Sequence, residues 1–323
     1  MKKVFVTDRS WPSYDGFLAA VEGAGGTVVF ASAQDEETLI REGADASIVV
    51  NSFAKVTDKV IAALTNCEMI LRTGISVDTI DVEAATAKGI PVCYVPDYCR
   101  DEVADHTFAL TLIGLRRIAL LNKRMHQGVW KAVEAGNVPR LSHAVLGLIG
   151  FGAIAKKMAV RAKAFGMEVV AYDPFLPDSV FAENGVKHAL TMENVFACAD
   201  AVSLHLPLNK QTYHVINAEA FAAMKPGAVF VNTARGGLVD TDALIAALRS
   251  GHLGAASIDV FETEPLGTES PLVELDNVLL TPHAAYYSMA SLPELVDKST
   301  DEVVRTLEGR ENRVVINKKE LGL

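Results

Sequence analysis

The sequence predicts an α/β fold in two domains, each a parallel sheet covered by helices on both faces, and three observations carry that expectation. Short β-branched runs alternate with stretches of helical spacing. The alternation starts twice, once at the N-terminus and again near Ala144. At 323 residues, half of them hydrophobic, the chain has the length of two ordinary domains and enough apolar content for their cores.

In the first series the strand candidates are VFVT (4–7), TVVF (27–30), ASIVV (46–50), EMILRT (68–73) and IPVCYV (90–95). Between them, YDGFLAAVEGAG, DEETLIREGA, TDKVIAALTN and DVEAATAKG have helical spacing, with the Gly or Asn near their ends that stops a helix. Residues 101–127 read as one long helix, opened by acids and closed by Lys and Arg as the helix dipole favours. It is apolar over much of its girth, which predicts packing between domains or between subunits. The second series holds six strands: AVLGLIG from Ala144, EVVAYD (168–173), DAVSLHLP (200–207), AVFVNT (228–233), GAASIDV (254–260) and NVLLTP (277–282). Six strands with helices between them are the parts of a complete dinucleotide-binding domain. A helical tail from about residue 290 needs a surface to pack on and is expected to return to the first domain. The expected organisation is therefore residues 1–98 plus 290–323 as one domain, inserted around a second at 99–289, with a cleft between.

The formal net charge of -10, with Lys and Arg scattered, leaves no basic stripe for nucleic acid. There is no run of 18 apolar residues for a membrane span. The N-terminal MKKVFVTDRS has an apolar run of only four, too short for a signal peptide and suited to a first strand. Cys67, Cys93, Cys99 and Cys198 show no C-x-x-C spacing, so no metal site is expected, and unpaired thiols point to a reducing cytoplasm.

The turn Gly150-Phe151-Gly152-Ala153-Ile154-Ala155 follows an apolar strand and opens a helix. Its first glycine permits the tight turn, the second lets backbone approach a pyrophosphate, and the small Ala155 lets helix and strand pack closely. The N–H groups of Ala153 and Ile154 would meet phosphate at the positive end of the helix dipole. A glycine-rich turn alone occurs in many α/β proteins. Asp173 strengthens the reading: it ends the next strand, 18 residues beyond Ala155. An acid there accepts both ribose hydroxyls of NAD and repels the 2′-phosphate of NADP.

Three later segments, NTARGGLVD (232–240), SIDVFETEP (257–265) and LLTPHAAYYS (279–288), fall at strand ends, where ligands bind in such sheets. They supply Arg235, Glu264 and His283. Singly these are a surface cation, a solvated loop acid and a helix cap. Together they form a chemical set. A guanidinium is a planar fork for the carboxylate and carbonyl of a 2-keto acid. An imidazolium donates a proton near neutral pH as hydride reaches the carbonyl, and a neighbouring carboxylate favours its charged form and fixes its tautomer. His106 and His205 are read as hydrogen-bonding residues rather than further acids or bases.

Over essentially its whole length the chain resembles the D-isomer-specific 2-hydroxyacid dehydrogenases, on RTGISVDTIDVEAATAKGI (72–90), the glycine turn, HLPL (205–208), NTARGGLVD, DVFETEP and TPH, in that order. The resemblance implies a flavodoxin-like substrate domain, a Rossmann-type NAD domain and a homodimer formed through the cofactor domains. It implies that Arg235 binds substrate, that His283 is the acid/base and that Glu264 is its partner. It places the N–H groups around Gly74, Ile75 and Ser76 on the substrate carboxylate, Leu206, Thr233, Ala234 and Asp259 along the nicotinamide side, and Thr212 near the phosphates. The small-molecule partner is a 2-keto or 2-hydroxy acid.

Two branches resemble it more closely. NSFAKVTDKVI (51–61) is similar to the phosphoglycerate dehydrogenases, with Asn51 where that branch has arginine, which argues against a phosphorylated substrate. VPDYCRDEVADHTFAL (95–110) and HAAYYS are similar to the C-terminal-binding proteins, corepressors that kept the dehydrogenase fold. There tryptophan is usual at Tyr286, and the family commonly has glycine at Ser76, whose hydroxyl adds a donor near the carboxylate. Asn51, Ser52, Phe53, Ser76 and Tyr286 are expected to shape the substrate pocket. The alternative to an enzyme is a NAD-sensing, corepressor-like scaffold.

Overall fold

The computed structural model describes all 323 residues. The chain divides into two compact units, Met1–Tyr98 with Ser288–Leu323, and Cys99–Tyr287. The first alternates β1 (Lys2–Val6), α1 (Asp15–Gly23), β2 (Gly26–Phe30), α2 (Glu36–Gly43), β3 (Ile48–Asn51), α3 (Asp58–Ala63), β4 (Met69–Arg72), α4 (Val82–Ala87) and β5 (Val92–Tyr94). The second follows with α5 (Arg100–Leu115), α6 (Ile118–His126), β6 (Val145–Ile149), α7 (Ala153–Ala164), β7 (Glu168–Tyr172), α8 (Asp178–Glu183), β8 (Lys187–His188), α9 (Met192–Cys198) and β9 (Ala201–Leu204). It continues with α10 (Ala218–Ala223), β10 (Ala228–Asn232), α11 (Thr241–Arg249), β11 (Leu253–Ile258), α12 (Pro271–Glu274) and β12 (Val278–Leu280). The tail returns as α13 (Ser291–Leu307) and α14 (Lys318–Leu321).

In the first unit the five strands pair in the order β2-β1-β3-β4-β5, all parallel. This is the flavodoxin-like order, with its switch point between β1 and β3. Asp35, Thr57 and Asp81 stop the chain between elements by accepting the N–H groups of Thr38, Val60 and Ala84, the usual N-cap bond. The returning α13 buries Leu295 and Val303 and packs on α1 and β4, covering a sheet face that would otherwise meet water.

The second unit has seven parallel strands in the order β12-β11-β10-β9-β6-β7-β8. That is the Rossmann arrangement with one extra edge strand, its switch point between β6 and β9. The sequence predicts six strands; the seventh, β8, is two residues long and too short to leave a period.

The long helix expected over 101–127 is broken. Arg117 takes a left-handed φ of 55° between α5 and α6. Its guanidinium donates to the carbonyl of Gly227 at 3.1 Å and lies flush against Gly254, where any Cβ would collide with it. A tertiary contact thus ends the helix where propensity does not. The apolar girth of α5 is spent on the second unit's own α7, β10 and β11, and α6 buries no residue. Gly114 brings α5 so close to β10 that a Cβ would lie 2.5 Å from Val229. No helix is long and apolar enough to cross a membrane, and all four cysteines are free thiols.

Candidate active site

The glycine turn sits at the switch point of the second unit. Gly150 has φ 91°, and a Cβ there would come within 2.5 Å of the His205 carbonyl oxygen and 3.2 Å of Leu206. Only glycine fits, and Leu206 lies beside the turn. Gly152 is different: a Cβ there would meet nothing within 4 Å. Its bareness leaves room for a ligand rather than for protein. It is the N-cap of α7, a helix of 12 residues with no side-chain cap, so the N–H groups of Ala153 and Ile154 face that opening as donors. Ala155 is fully buried, packing the helix onto the sheet. Asp173 is held beside the turn, its Oδ2 accepting the Phe151 N–H at 2.9 Å and its Oδ1 the Phe175 N–H at 3.0 Å. Each oxygen keeps a lone pair for a ribose hydroxyl. The cradle, the helix end and the acid fit a dinucleotide.

Other expected cofactor residues are committed elsewhere. The Thr233 hydroxyl shares a hydrogen bond with Thr107 on α5 at 2.7 Å. The Ala234 N–H donates to Asn232 Oδ1 at 3.0 Å. Thr212, expected near phosphates, gives its hydroxyl proton to the Pro207 carbonyl at 2.7 Å and shapes its own loop.

The catalytic candidates converge through backbone. Asn232, ending β10, donates to the Arg235 carbonyl at 2.8 Å and closes the turn that presents Arg235. The next residue, Gly236, lies flush on the Phe261–Glu262 peptide, so any Cβ would strike it. The Phe261 N–H then donates to Glu264 Oε1 at 2.9 Å, and Glu264 Oε2 lies 2.7 Å from His283 Nδ1. Burial pushes the Glu264 carboxyl upward, but the hydrogen bond and charge of His283, the Phe261 N–H and the charge of Arg235 outweigh it and hold it below the usual carboxylate range. Arg235 itself donates to the Ala234 carbonyl at 2.7 Å.

Asp259, fully buried at the end of β11, builds the turn that carries His283. Its carbonyl accepts the His283 N–H at 2.8 Å. Its Oδ1 accepts the Thr281 hydroxyl at 2.5 Å and the Ala284 N–H at 2.8 Å, and its Oδ2 the Ala285 N–H at 3.0 Å. These bonds hold His283 at φ 50°, a left-handed conformation that a non-glycine residue adopts only under constraint. His106 reaches Thr281 at 3.2 Å and tethers α5 to this turn. His205 hydrogen-bonds Ser203 at 3.0 Å, and burial pushes it down to about 4, so it is neutral at physiological pH.

The first unit has uncommitted backbone donors of its own, in the loop after β4. The Gly74 N–H is committed to the Arg72 carbonyl at 3.0 Å, whereas those of Ile75 and Ser76 have no internal acceptor. Under the loop lies Arg72, 7% exposed, so close to Gly74 that a Cβ there would collide with its guanidinium. Sequence reasoning passed over Arg72. The available signal was a lone cation ending the apolar strand EMILRT. Two expectations need correction. Asn51 is no pocket residue: it is fully buried, and its amide donates to Thr7 Oγ1 at 3.1 Å and the Ala54 carbonyl at 2.7 Å while accepting from Thr79 at 2.8 Å. Every polar atom it has is consumed inside the unit. The Ser76 hydroxyl likewise donates to Asp78 rather than offering an added donor.

Known proteins resemble the chain over most of its length. Residues 108–285 match the family described as D-isomer specific 2-hydroxyacid dehydrogenase, NAD binding domain. The chain is 40% identical over 284 residues to the D-3-phosphoglycerate dehydrogenase of Methanocaldococcus jannaschii, covering 88% of this chain and 53% of that one. It thus spans about half the length of that relative. It is 42% identical over 238 residues to the hydroxypyruvate reductase of Thermotoga maritima, covering 73% and 76% of the two chains. Among solved structures, D-lactate dehydrogenase from Aquifex aeolicus, complexed with NAD and lactic acid, aligns with a TM-score of 0.85 at 29% identity over 95% of this chain and 96% of that one. These matches lend no support to a corepressor-like scaffold. The chain belongs to the D-isomer specific 2-hydroxyacid dehydrogenase family, and its second unit carries that family's NAD-binding domain.

Proposed function

We propose that the protein interconverts a 2-keto acid and a D-2-hydroxy acid. The observation that carries the reading is the contact of Glu264 Oε2 with His283 Nδ1 at 2.7 Å, beside the charge of Arg235. NAD, when bound, supplies or accepts the hydride. Among this chain's residues, the N–H groups of Ala153 and Ile154 hold the pyrophosphate and Asp173 the adenosine ribose. Leu206, Thr233, Ala234 and Asp259 belong to the nicotinamide side, the last three by shaping it through bonds already described. In the first unit, the N–H groups of Ile75 and Ser76 with the buried Arg72 take the substrate carboxylate. The Arg235 guanidinium binds the carboxylate and carbonyl as a fork.

For reduction, His283 holds a proton on Nε2 and gives it to the carbonyl oxygen; for oxidation, the neutral ring removes the hydroxyl proton. Glu264 stays ionised across the neutral range, accepts from Nδ1 and so directs Nε2 outward to substrate. We assign the protein to the cytoplasm as a homodimer acting on small molecules, on its free thiols and the family resemblance. The test is purified protein with NADH against glyoxylate, hydroxypyruvate, pyruvate, phenylpyruvate and 3-phosphohydroxypyruvate. Turnover of at least one, abolished in His283→Ala, is expected. No turnover of any simple keto acid would remove the proposal.

A further inference from the structure

A second histidine–glutamate pair grips the loop that carries Glu264. His214, in the segment after β9, has φ 50°, the left-handed conformation it shares only with Arg117 and His283 among non-glycine residues. Such backbone persists where surrounding contacts over-determine it. The His214 N–H donates to the Gly237 carbonyl at 2.9 Å and the Ile216 N–H to the Leu238 carbonyl at 3.0 Å, so this segment runs along the loop that follows Arg235. From that base, His214 Nε2 hydrogen-bonds Glu262 Oε1. The imidazole is steadied by stacking on Tyr213, with centroids 4.0 Å apart and planes 14° from parallel. Glu262 directly follows Phe261, whose N–H holds Glu264.

Two of the contacts around the Arg235 and Glu264 loops have opposite mechanics. Gly236 against the Phe261–Glu262 peptide is a steric contact: it limits how close the loops come and does nothing to stop them parting. The His214–Glu262 bond resists parting and adds a directional tie to the attraction between the Arg235 and Glu264 charges. A pair whose side chains are 32% and 31% exposed adds little to global stability, so holding this strained residue is better explained by geometry than by stability. We infer that His214 and Glu262 are positioning residues for the reaction. Their bond ties the Phe261–Glu264 turn to the Arg235 loop and so keeps the Glu264 carboxylate on His283 Nδ1. Neither residue touches the reacting atoms, and the inference rests on the proposed dehydrogenase reading.

The experiment uses the full chain with His214→Ala, His214→Gln, Glu264→Gln and the double variant His214→Ala/Glu264→Gln. The readouts are kcat, KM, NADH affinity by fluorescence, and crystal structures. His214→Ala is expected to lower kcat by about 10-fold, the scale of a small misplacement at a reacting centre, with KM and NADH affinity essentially unchanged. The amide nitrogen of His214→Gln overlays the imidazole Nε2 and should restore most of kcat. The double variant should be no slower than Glu264→Gln, because residues acting through one contact are not additive. In His214→Ala crystals, Glu264 should leave Nδ1. If His214→Ala misfolds, Glu262→Ala tests the same bond from its other end. Full kcat in His214→Ala, additive losses in the double variant, or Glu264 still seated on His283 overturns the inference. A wild-type protein that turns over no keto acid overturns the proposed function instead, and the crystal structures then decide the positioning role alone.

Discussion

Replacing Glu264 with glutamine keeps the shape of the side chain and removes one charge and one acceptor. The carboxylate takes two donors, Phe261 N–H at 2.9 Å and His283 Nδ1 at 2.7 Å, whereas an amide has a single acceptor oxygen. If that oxygen stays on Phe261, the NH2 group faces Nδ1 and forces a neutral ring with its proton on Nε2. If it turns to His283, the Phe261 N–H faces a donor, at a cost of about 1–3 kcal/mol. The charge contribution lies between about 1 kcal/mol in water and about 4 kcal/mol at an effective dielectric of 20, for unit charges about 4 Å apart. The two side chains are 29% and 32% exposed, so water screens the pair and the lower half of that range applies, about 1–2 kcal/mol. At about 1.4 kcal/mol per factor of ten, a loss of this size slows the reaction that needs the protonated ring by about 10-fold. The sign follows from the chemistry. The lost anion favoured the protonated imidazole, and reduction requires that form. The assay is kcat/KM for keto-acid reduction by NADH across pH, beside the oxidation of the hydroxy acid. On the alkaline side kcat/KM for reduction should fall by about 10-fold, and oxidation, which uses the neutral ring, should suffer less. An unchanged reduction profile in a variant that still binds NADH would refute the pairing and leave Glu264 a solvated loop acid.

His283→Ala should cut turnover by roughly 10²–10⁴-fold, the usual contribution of a general acid, while NADH still quenches protein fluorescence at the same concentration. Arg235→Lys should fail similarly in kcat/KM, since an ammonium offers no planar fork; near-normal activity would make Arg235 a mere cation. NADPH should be worse than NADH by on the order of 100-fold, because its 2′-phosphate meets the pinned carboxylate of Asp173 at a like-charge cost of several kcal/mol. Equal efficiency in steady-state kinetics would take Asp173 out of that role. Position 51 is a neutral amide consumed inside the first unit, so no guanidinium stands there for a second anion. Hydroxypyruvate should therefore exceed 3-phosphohydroxypyruvate in kcat/KM, and the reverse order would mean that another cation serves.

The sequence by itself determined the layered α/β architecture in two parts, the glycine turn with Asp173, and the strand-end candidates Arg235, Glu264 and His283. These features are local in cause. Strand and helix periods repeat over a few residues, Gly150 is demanded by its own φ of 91°, and strand ends face ligands in any such sheet. What only the tertiary structure decided are the places where distant segments compete for one group. The helix over 101–127 breaks because the Arg117 guanidinium finds Gly227 and Gly254, more than 100 positions away. Asn51 withdraws from the substrate role because Thr7, Ala54 and Thr79 together saturate its amide. Arg72 gains importance because Gly74, lacking a side chain, lets the loop settle onto its buried guanidinium. His214 looked like ordinary loop sequence until the fold laid it beside Glu262. A period is readable from one strand of text, but a polar side chain has several possible partners, and only the folded chain shows which of them arrive.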